Sequence, residues 1–254
     1  MAKEGKLKVL EPRNLKRLIV VGDLHGDYAA FNSLLNLANP SRDCILFLGD
    51  YADRGLNGME VIEGIDSLLK KYSANVVALK GNHESYTESG IPTFSPCDLM
   101  YEVREKGKDW DAYFEKELKP FIGKLYLAAV LPDEILFVHG GVSRKIRSLR
   151  DLEKPSREIE IDVLWSDPFE GYGERPNWRG AGVEFGRDVS EEVCKKLGVK
   201  KIIRSHQPRK AMFGPFEEHE GRVITISSTS VYGGKPFVLL IDPKKPSELS
   251  THFL

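Results

Sequence analysis

Five apolar runs in this 254-residue chain end in the same way, with glycine or another small residue beside an Asp, Asn or His. "RLIVVG" (17–22) leads into Asp23 and His25, and "CILFLG" (44–49) into Asp50, Asp53 and Arg54. "NVVALKG" (75–81) leads into Asn82, His83 and Glu84. "EILFV" (134–138) leads into His139, and "KKIIRS" (200–205) into His206. A charged side chain at the mouth of a buried strand costs desolvation energy unless something pairs with it. The recurrence therefore asks for a fold that gathers these strand ends, and for a ligand that compensates them.

Between the first three runs, "YAAFNSLLNLA" (28–38) and "GMEVIEGIDSLLKKY" (58–72) have helical spacing. The order is β-α-β-α-β, and each strand is apolar on both faces. That pattern predicts a parallel sheet covered by helices. Right-handed crossovers then place the carboxyl ends of the strands along one edge, where open α/β sheets bind ligands. Further on, residues 98–118 read as mostly helical. "KLYLAAVL" (124–131) and "EILFVHG" (134–140) read as a hairpin split by Pro132-Asp133. Residues 143–188 read as irregular. "DVSEEVCKKLG" (188–198) reads as a short helix, with Asp188 and Glu191 as a capping box and Gly198 as its stop. "VKKIIRS", "RVITIS" and "PFVLLID" read as three more strands. No domain boundary is visible, so one domain over 1–254 is expected, with the arm to about residue 16 and the segment from Pro243 peripheral.

Lys and Arg total 37 against 38 Asp and Glu. Without a basic field, neither nucleic acid nor an anionic membrane is indicated as a bulk partner. No run approaches the ~18 apolar residues of a spanning helix, and "MAKEGKLKVLEPRNLK" has no apolar stretch like a signal peptide. Cys44, Cys97 and Cys194 form no CxxC pair, and none has Arg six positions downstream. A disulfide framework, a thiolate zinc site and a thiol phosphatase are all unsupported, and a reducing cytoplasm is expected.

Asp, Asn and His without cysteine suit manganese, iron or zinc. Asp23 and His25 are two apart, so in extended chain they face one side. Asn82 and His83 are adjacent and face apart, one toward metal and the other toward substrate. The donors outnumber what one four-coordinate ion needs, and two ions sharing Asp50 is the economical reading. Two ions ~4 Å apart can activate a water and clamp an in-line displacement at phosphorus. Arg54, and Arg179 in "NWRGAGVEFG", can grip phosphoryl oxygens in the bidentate manner of guanidinium. Other residues carry plainer expectations. Asp27 precedes a helix and reads as its N-cap. His219 and His252 read as structural or exposed, and Glu84 as support. Trp165 and Trp178 read as packing anchors, and "RKIRSLR" (144–150) as a solvated face.

"GDLHG", "GDYADRG", "GNHE" and "HGG" occur in the order of the calcineurin-like metallophosphoesterases, and the chain resembles that superfamily. "WSDP" (165–168), "RGAGVEFG" (179–186) and "RSHQP" (204–208) narrow the resemblance to the phosphoprotein phosphatases acting on serine and threonine. The likeness covers residues 17 to about 241. It implies an α/β fold: a central mixed β-sandwich flanked by helices, with metals at the carboxyl ends of strands. It implies a metal-dependent protein serine/threonine phosphatase in which a metal-bridging hydroxide attacks phosphorus directly. Asp23, His25 and Asp50 would bind the first divalent ion. Asp50, Asn82, His139 and His206 would bind the second. Manganese is the first expectation, with iron or zinc as alternatives. His83 would be the general acid, oriented by Asp53. Arg54 and Arg179, with Asn82 and Tyr232, would hold the substrate. Phosphoproteins are the implied partners, and no regulatory subunit is indicated. Lys80 stands where the family usually has Arg, Ser230 and Val231 where it has Pro-Asn, and residues 85–118 match poorly. These departures leave room for a phosphoanhydride hydrolase, such as one cutting dinucleoside polyphosphates. A catalytically silent phosphate-binding protein would be expected to have lost ligands.

Overall fold

The computed structural model describes residues 5–11 and 16–254. Two sheets face each other. One contains, edge to edge, β14 (Leu249–Phe253), β13 (Phe237–Ile241), β2 (Arg17–Val21), β3 (Asp43–Phe47) and β4 (Val76–Ala78). The other contains β1 (Leu7–Val9), β5 (Ala128–Leu131), β6 (Ile135–Val138), β10 (Lys201–Arg204), β12 (Val223–Thr225) and β11 (Phe216–Glu218). Both are mixed. β2, β3 and β4 run parallel, as do β6, β10 and β12. β13 and β14 are antiparallel additions, and β5 and β6 form the expected hairpin.

The parallel triad agrees with the sequence pattern, but helices cover only one of its faces and the other meets the second sheet of the sandwich that the resemblance implied. Ile19, Val21, Ile45 and Phe47 pack on α1 (Tyr28–Leu37) and α2 (Gly58–Lys71) through Phe31, Leu34, Val61, Ile62 and Ile65. Leu18, Val20, Leu46 and Val77 point the other way, onto Ala129, Leu131, Phe137, Ile203 and Ile224 of the second sheet. Alternate residues of a strand face opposite sides, so apolar residues at every position require two covered faces. Periodicity cannot say whether helices or a sheet do the covering. The outer face of the second sheet carries α7 (Arg157–Trp165) and α8 (Arg187–Leu197), which contribute Ile159, Val163, Val189, Val193 and Leu197.

Three other expectations are corrected. Residues 143–188 are not irregular: they hold α6 (Leu149–Glu153), α7, and a small sheet of β7 (Asp167–Pro168), β9 (Val183–Phe185) and β8 (Glu174–Pro176). These strands have only two or three residues, too few for a periodic signal. Helix α8 starts after Gly186, without a side-chain cap. Asp188 instead accepts from the Gly173 amide at 2.7 Å and pairs with Arg144 at 2.6 Å. Gly198 ends the helix in left-handed backbone, as expected. The two segments taken as peripheral supply edge strands: Leu7–Val9 pairs with β5, and Leu249–Phe253 with β13. Between residues 98 and 122 the chain is helical in short pieces, α3 (Asp98–Glu105), α4 (Trp110–Tyr113), a π turn at Phe114–Leu118 and α5 (Lys119–Ile122).

Leu46 is fully buried between the sheets. Leu46→Ala is expected to cost about 2–5 kcal/mol through lost burial and a residual cavity. Leu56→Ala, at a side chain 84% exposed, should shift stability by less than about 0.5 kcal/mol. Urea titration of both variants checks the contrast.

Candidate metal centre and active site

The carboxyl ends of β2, β3 and β4 in one sheet and of β6 and β10 in the other deliver the candidate residues. The chain turns sharply there. His25, Asp50, Asp53, Arg54 and His206 have φ of 47°, 57°, 67°, 71° and 68°. Left-handed backbone at such residues costs about 1–3 kcal/mol each and persists only where the surroundings enforce it. Glu84 is one enforcer. Its carboxylate accepts from the amides of Asp50 at 2.9 Å, Tyr51 at 3.0 Å and Gly81 at 2.8 Å. It thus ties the end of β3 to the end of β4. Gly49, at φ 108°, lies so close that a Cβ there would sit 2.5 Å from the Gly81 nitrogen.

Around Asp50 the donors converge. Its Oδ2 lies 3.6 Å from His25 Nε2 and 3.4 Å from His139 Nε2. His139 Nε2 is also 3.0 Å from Asn82 Oδ1 and 3.2 Å from His206 Nδ1. Carbonyls set two tautomers. His139 Nδ1 donates to Leu48 O at 2.9 Å and His25 Nδ1 to Ala52 O at 3.0 Å, so each Nε2 presents a lone pair inward. Asp23 accepts from the His206 amide at 3.2 Å and from the Ser205 hydroxyl. All of these side chains are buried. Burial opposes charge on Asp50, but the His139, His83 and His25 rings outweigh it and hold its pKa well below the carboxylate value. Burial keeps His206 neutral.

Asp23 Oδ2 and His206 Nε2 are buried without a hydrogen-bond partner among the described residues. Two groups of donors, His25–Asp50–His83 and Asp50–His139–His206, have ligand atoms within 4.8 Å of one another. Orphaned donor atoms beside a shared carboxylate fit divalent cations. His83 falls within reach of the first group, but its Nδ1 is engaged by Asp53 at 2.6 Å.

His83 opens onto a cavity of about 650 Å³ lined also by Arg54, Asn82, Trp178, Arg179, His206 and Tyr232. Burial disfavours charge on His83, but Asp50 and Asp53 outweigh it and raise its pKa. Arg54 pairs with Asp98 at 2.7 Å, and Arg179 with Asp167 at 2.8 Å. The Tyr232 ring lies 5.6 Å from that of His25. The candidate residues thus gather at one place, with Asp53 behind His83. Cys44, Cys97 and Cys194 do not: all are buried, and burial pushes their thiols up to about 12, 11 and 12.

Sequence reasoning missed the residues that hold these groups. The poorly matching segment 85–118 supplies Asp98, the Leu99 amide that donates to Asp53 at 2.7 Å, and Phe94, packed 4.5 Å from the His83 ring. Its Glu102 accepts from Gly58 and Met59 at the start of α2. Asp167, inside "WSDP", clasps Arg179 and the fully buried Arg204 together. Asp27 caps α1, as read, but its other oxygen also takes the Ser230 amide at 2.7 Å and hydroxyl at 2.6 Å, anchoring the Tyr232 loop. Trp178 is not a packing anchor: it is 76% exposed, with the Arg179 guanidinium 5.0 Å from its ring. Trp165 packs into two core clusters and meets the His206 ring edge-on at 5.8 Å. Lys80 and Lys6 share Glu160, a structural tie. His219 is buried between Ser190 and the Phe169 carbonyl.

Burial works against the Asp167 charge, but the Arg204 and Arg179 guanidinium groups outweigh it and hold its pKa at about 2. A depressed carboxylate stabilises the fold above its unfolded pKa, and that share, roughly 2 kcal/mol, is lost as pH falls through the folded value. Asp167→Asn strands Arg204 and should cost about 3–5 kcal/mol at neutral pH. It should also flatten the decline in stability between about pH 4 and pH 2. Urea titration of chelator-treated protein across that range reads both effects, and an unchanged slope would count against the assignment.

Residues 16–210 match the family model for calcineurin-like phosphoesterases. A Caenorhabditis elegans protein named as a serine/threonine-protein phosphatase is 32% identical over 224 residues, 84% of this chain and 58% of that one. A second from the same organism is 34% identical over 196 residues, 74% of this chain and 42% of that one. The chain spans about half the length of these curated relatives. A Saccharomyces cerevisiae protein serine/threonine phosphatase with similarity to human PP5 superposes with a TM-score of 0.79, covering 99% of this chain and 84% of that one at 24% identity, a likeness of fold. With five strand ends meeting at one buried donor cluster and most of its length matched by the family model, the chain belongs to the calcineurin-like phosphoesterases.

Proposed function

We propose that the chain is a metal-dependent protein serine/threonine phosphatase that hydrolyses phosphomonoesters without a covalent enzyme intermediate. One observation carries the reading: His83, backed by Asp53 at 2.6 Å, shares a cavity with two arginines and the converging donors. Asp23, His25 and Asp50 would hold one divalent cation, and Asp50, Asn82, His139 and His206 the other. Manganese is the working choice, with iron or zinc as alternatives. When bound, such cations lower the pKa of water and neutralise charge on phosphoryl oxygens.

The remaining work belongs to the chain. Arg54 and Arg179 are braced by Asp98 and Asp167, so their donors meet the phosphoryl oxygens with little reorganisation. Asn82 and Tyr232 frame the same group. Asp53 accepts a hydrogen bond from Nδ1–H and stabilises the protonated ring of His83, which leaves the Nε2 proton for the departing serine or threonine oxygen. A serine alkoxide leaves badly, so this proton matters most for the natural ester. Among the described residues neither Ser nor Cys lines the cavity, and water is the direct nucleophile: its oxygen bonds to phosphorus as the ester P–O bond breaks. The similarity to serine/threonine-protein phosphatases favours phosphoproteins over dinucleoside polyphosphates as substrate. Among the described residues no helix is long and apolar enough to cross a membrane, and the buried free thiols suit the cytoplasm.

Metal analysis of Asp50→Ala should show fewer than two ions per chain; retention of both removes Asp50 as the shared ligand. His83→Ala should lower kcat on a phosphoserine peptide by about 10²–10⁴-fold. Turnover of p-nitrophenyl phosphate, whose leaving group needs less protonation, should fall far less. Equal losses would dismiss His83 as the acid. Chelator-stripped protein, restored with manganese, should release phosphate from the peptide. Turnover of diadenosine tetraphosphate instead would keep the metal site and discard the protein-phosphatase reading.

A further inference from the structure

Four cations line the catalytic cavity: Arg54, Arg179, Arg209 and Lys210. Three are matched within the protein. Arg54 pairs with Asp98 at 2.7 Å, Arg179 with Asp167 at 2.8 Å and Lys210 with Glu218 at 2.6 Å. Arg209 has no carboxylate partner among the described residues; its guanidinium lies 5.8 Å from the centre of the Tyr232 ring. An arginine resting on an aromatic ring is held in place while its in-plane N–H groups stay open. Among the described residues the only carboxylate lining this cavity is Asp50, which the donor cluster engages. The open charge of Arg209 is therefore surplus to the protein and to a lone phosphoryl group that Arg54 and Arg179 already face.

The surface beyond Arg209 gives a direction. A shallow depression of about 280 Å³ runs on from Arg209 and Lys210 along Met212, Phe213, Gly214 and Pro215. Phe213 is 69% exposed. A chain leaving the reacting centre this way meets the open cation first and an apolar shelf after it. That order suits a peptide carrying an acidic residue close to its phosphorylated one.

We propose that Arg209 is a specificity-determining residue that pairs with an acidic side chain flanking the phosphorylated residue of a peptide substrate. The proposal rests on the phosphopeptide reading above, and its test reads binding rather than turnover. Two labelled peptides carry a non-hydrolysable phosphonate in place of phosphoserine. One has Asp on both sides of it, and its twin has Asn. Fluorescence anisotropy on metal-loaded protein gives both Kd values, and inorganic phosphate serves as a competitor. The Asp peptide should bind about three- to tenfold more tightly than the Asn peptide, and less so at high salt. Arg209→Gln should erase that ratio, and Arg209→Lys should keep part of it.

No preference in the wild-type protein, or no binding of either peptide, overturns the proposal. So does a variant that weakens both peptides and inorganic phosphate alike, which would make Arg209 a third ligand of the reacting phosphoryl group. The phosphoserine twins, offered as substrates, test the other reading separately. Binding with the expected ratio but no hydrolysis would defeat the phosphatase assignment and leave the role of Arg209 standing.

Discussion

A carboxylate placed just past a fully buried strand must be compensated, and Asp50 is that carboxylate. The β3 residues before it are buried on both faces, so no water reaches it from the strand side. From elsewhere in the chain the His83 amide after β4 donates to Oδ1 at 3.0 Å, and a cation held among His25 after β2 and His139 after β6, whose Nε2 atoms lie 3.6 and 3.4 Å from Oδ2, would supply the rest. Meeting that demand requires strands from both sheets to end at one edge. The left-handed residues, the glycines packed backbone to backbone and the Glu84 tie all serve the close approach that this convergence needs.

Around that centre the protein separates two tasks. Groups facing the cavity are few and polar. Groups behind them fix geometry: Asp53 behind His83, Asp98 behind Arg54, Asp167 behind Arg179, Asp27 behind the Tyr232 loop. Asp53, Asp98 and Asp167 each hold a donor whose far side is left open, and Asp27 fixes the loop through Ser230. Such bracing limits how far a functional group must reorganise when charge develops in front of it.

The Asp, Asn and His donors were legible in the sequence because each follows an apolar run beside small residues, whereas Tyr232 came only with the family resemblance. Strand direction then gathers them without knowledge of tertiary contacts. Of the bracing groups, Asp53 came with the family resemblance and Asp27 was read only as a helix cap; the others were not legible. Asp98 and Glu102 act across 44 positions of sequence on Arg54 and Gly58, and nothing local marks them. Asp167 lay in a motif, but its clasp on Arg179 and Arg204 appears only when three short strands fold over α7. The sandwich was implied by the family resemblance but not by periodicity, because an apolar residue looks the same beneath a helix as beneath a strand. Trp178 was misjudged because size suggests burial, whereas its place beside Arg179 puts it at the surface.

The donors around Asp50 come from both sheets. Asp23, His25, Asp50 and Asn82 extend from the first, and His139 and His206 from the second. The Asp23 carboxylate already crosses over to Ser205 and the His206 amide. An ion held by ligands from both sides would clamp the sandwich at its open edge, much as a bolt holds two plates. Its binding free energy would then add to the cohesion of the whole fold. Chelation would loosen the seam between the sheets as well as remove the chemistry, and cation supply would set durability and activity together.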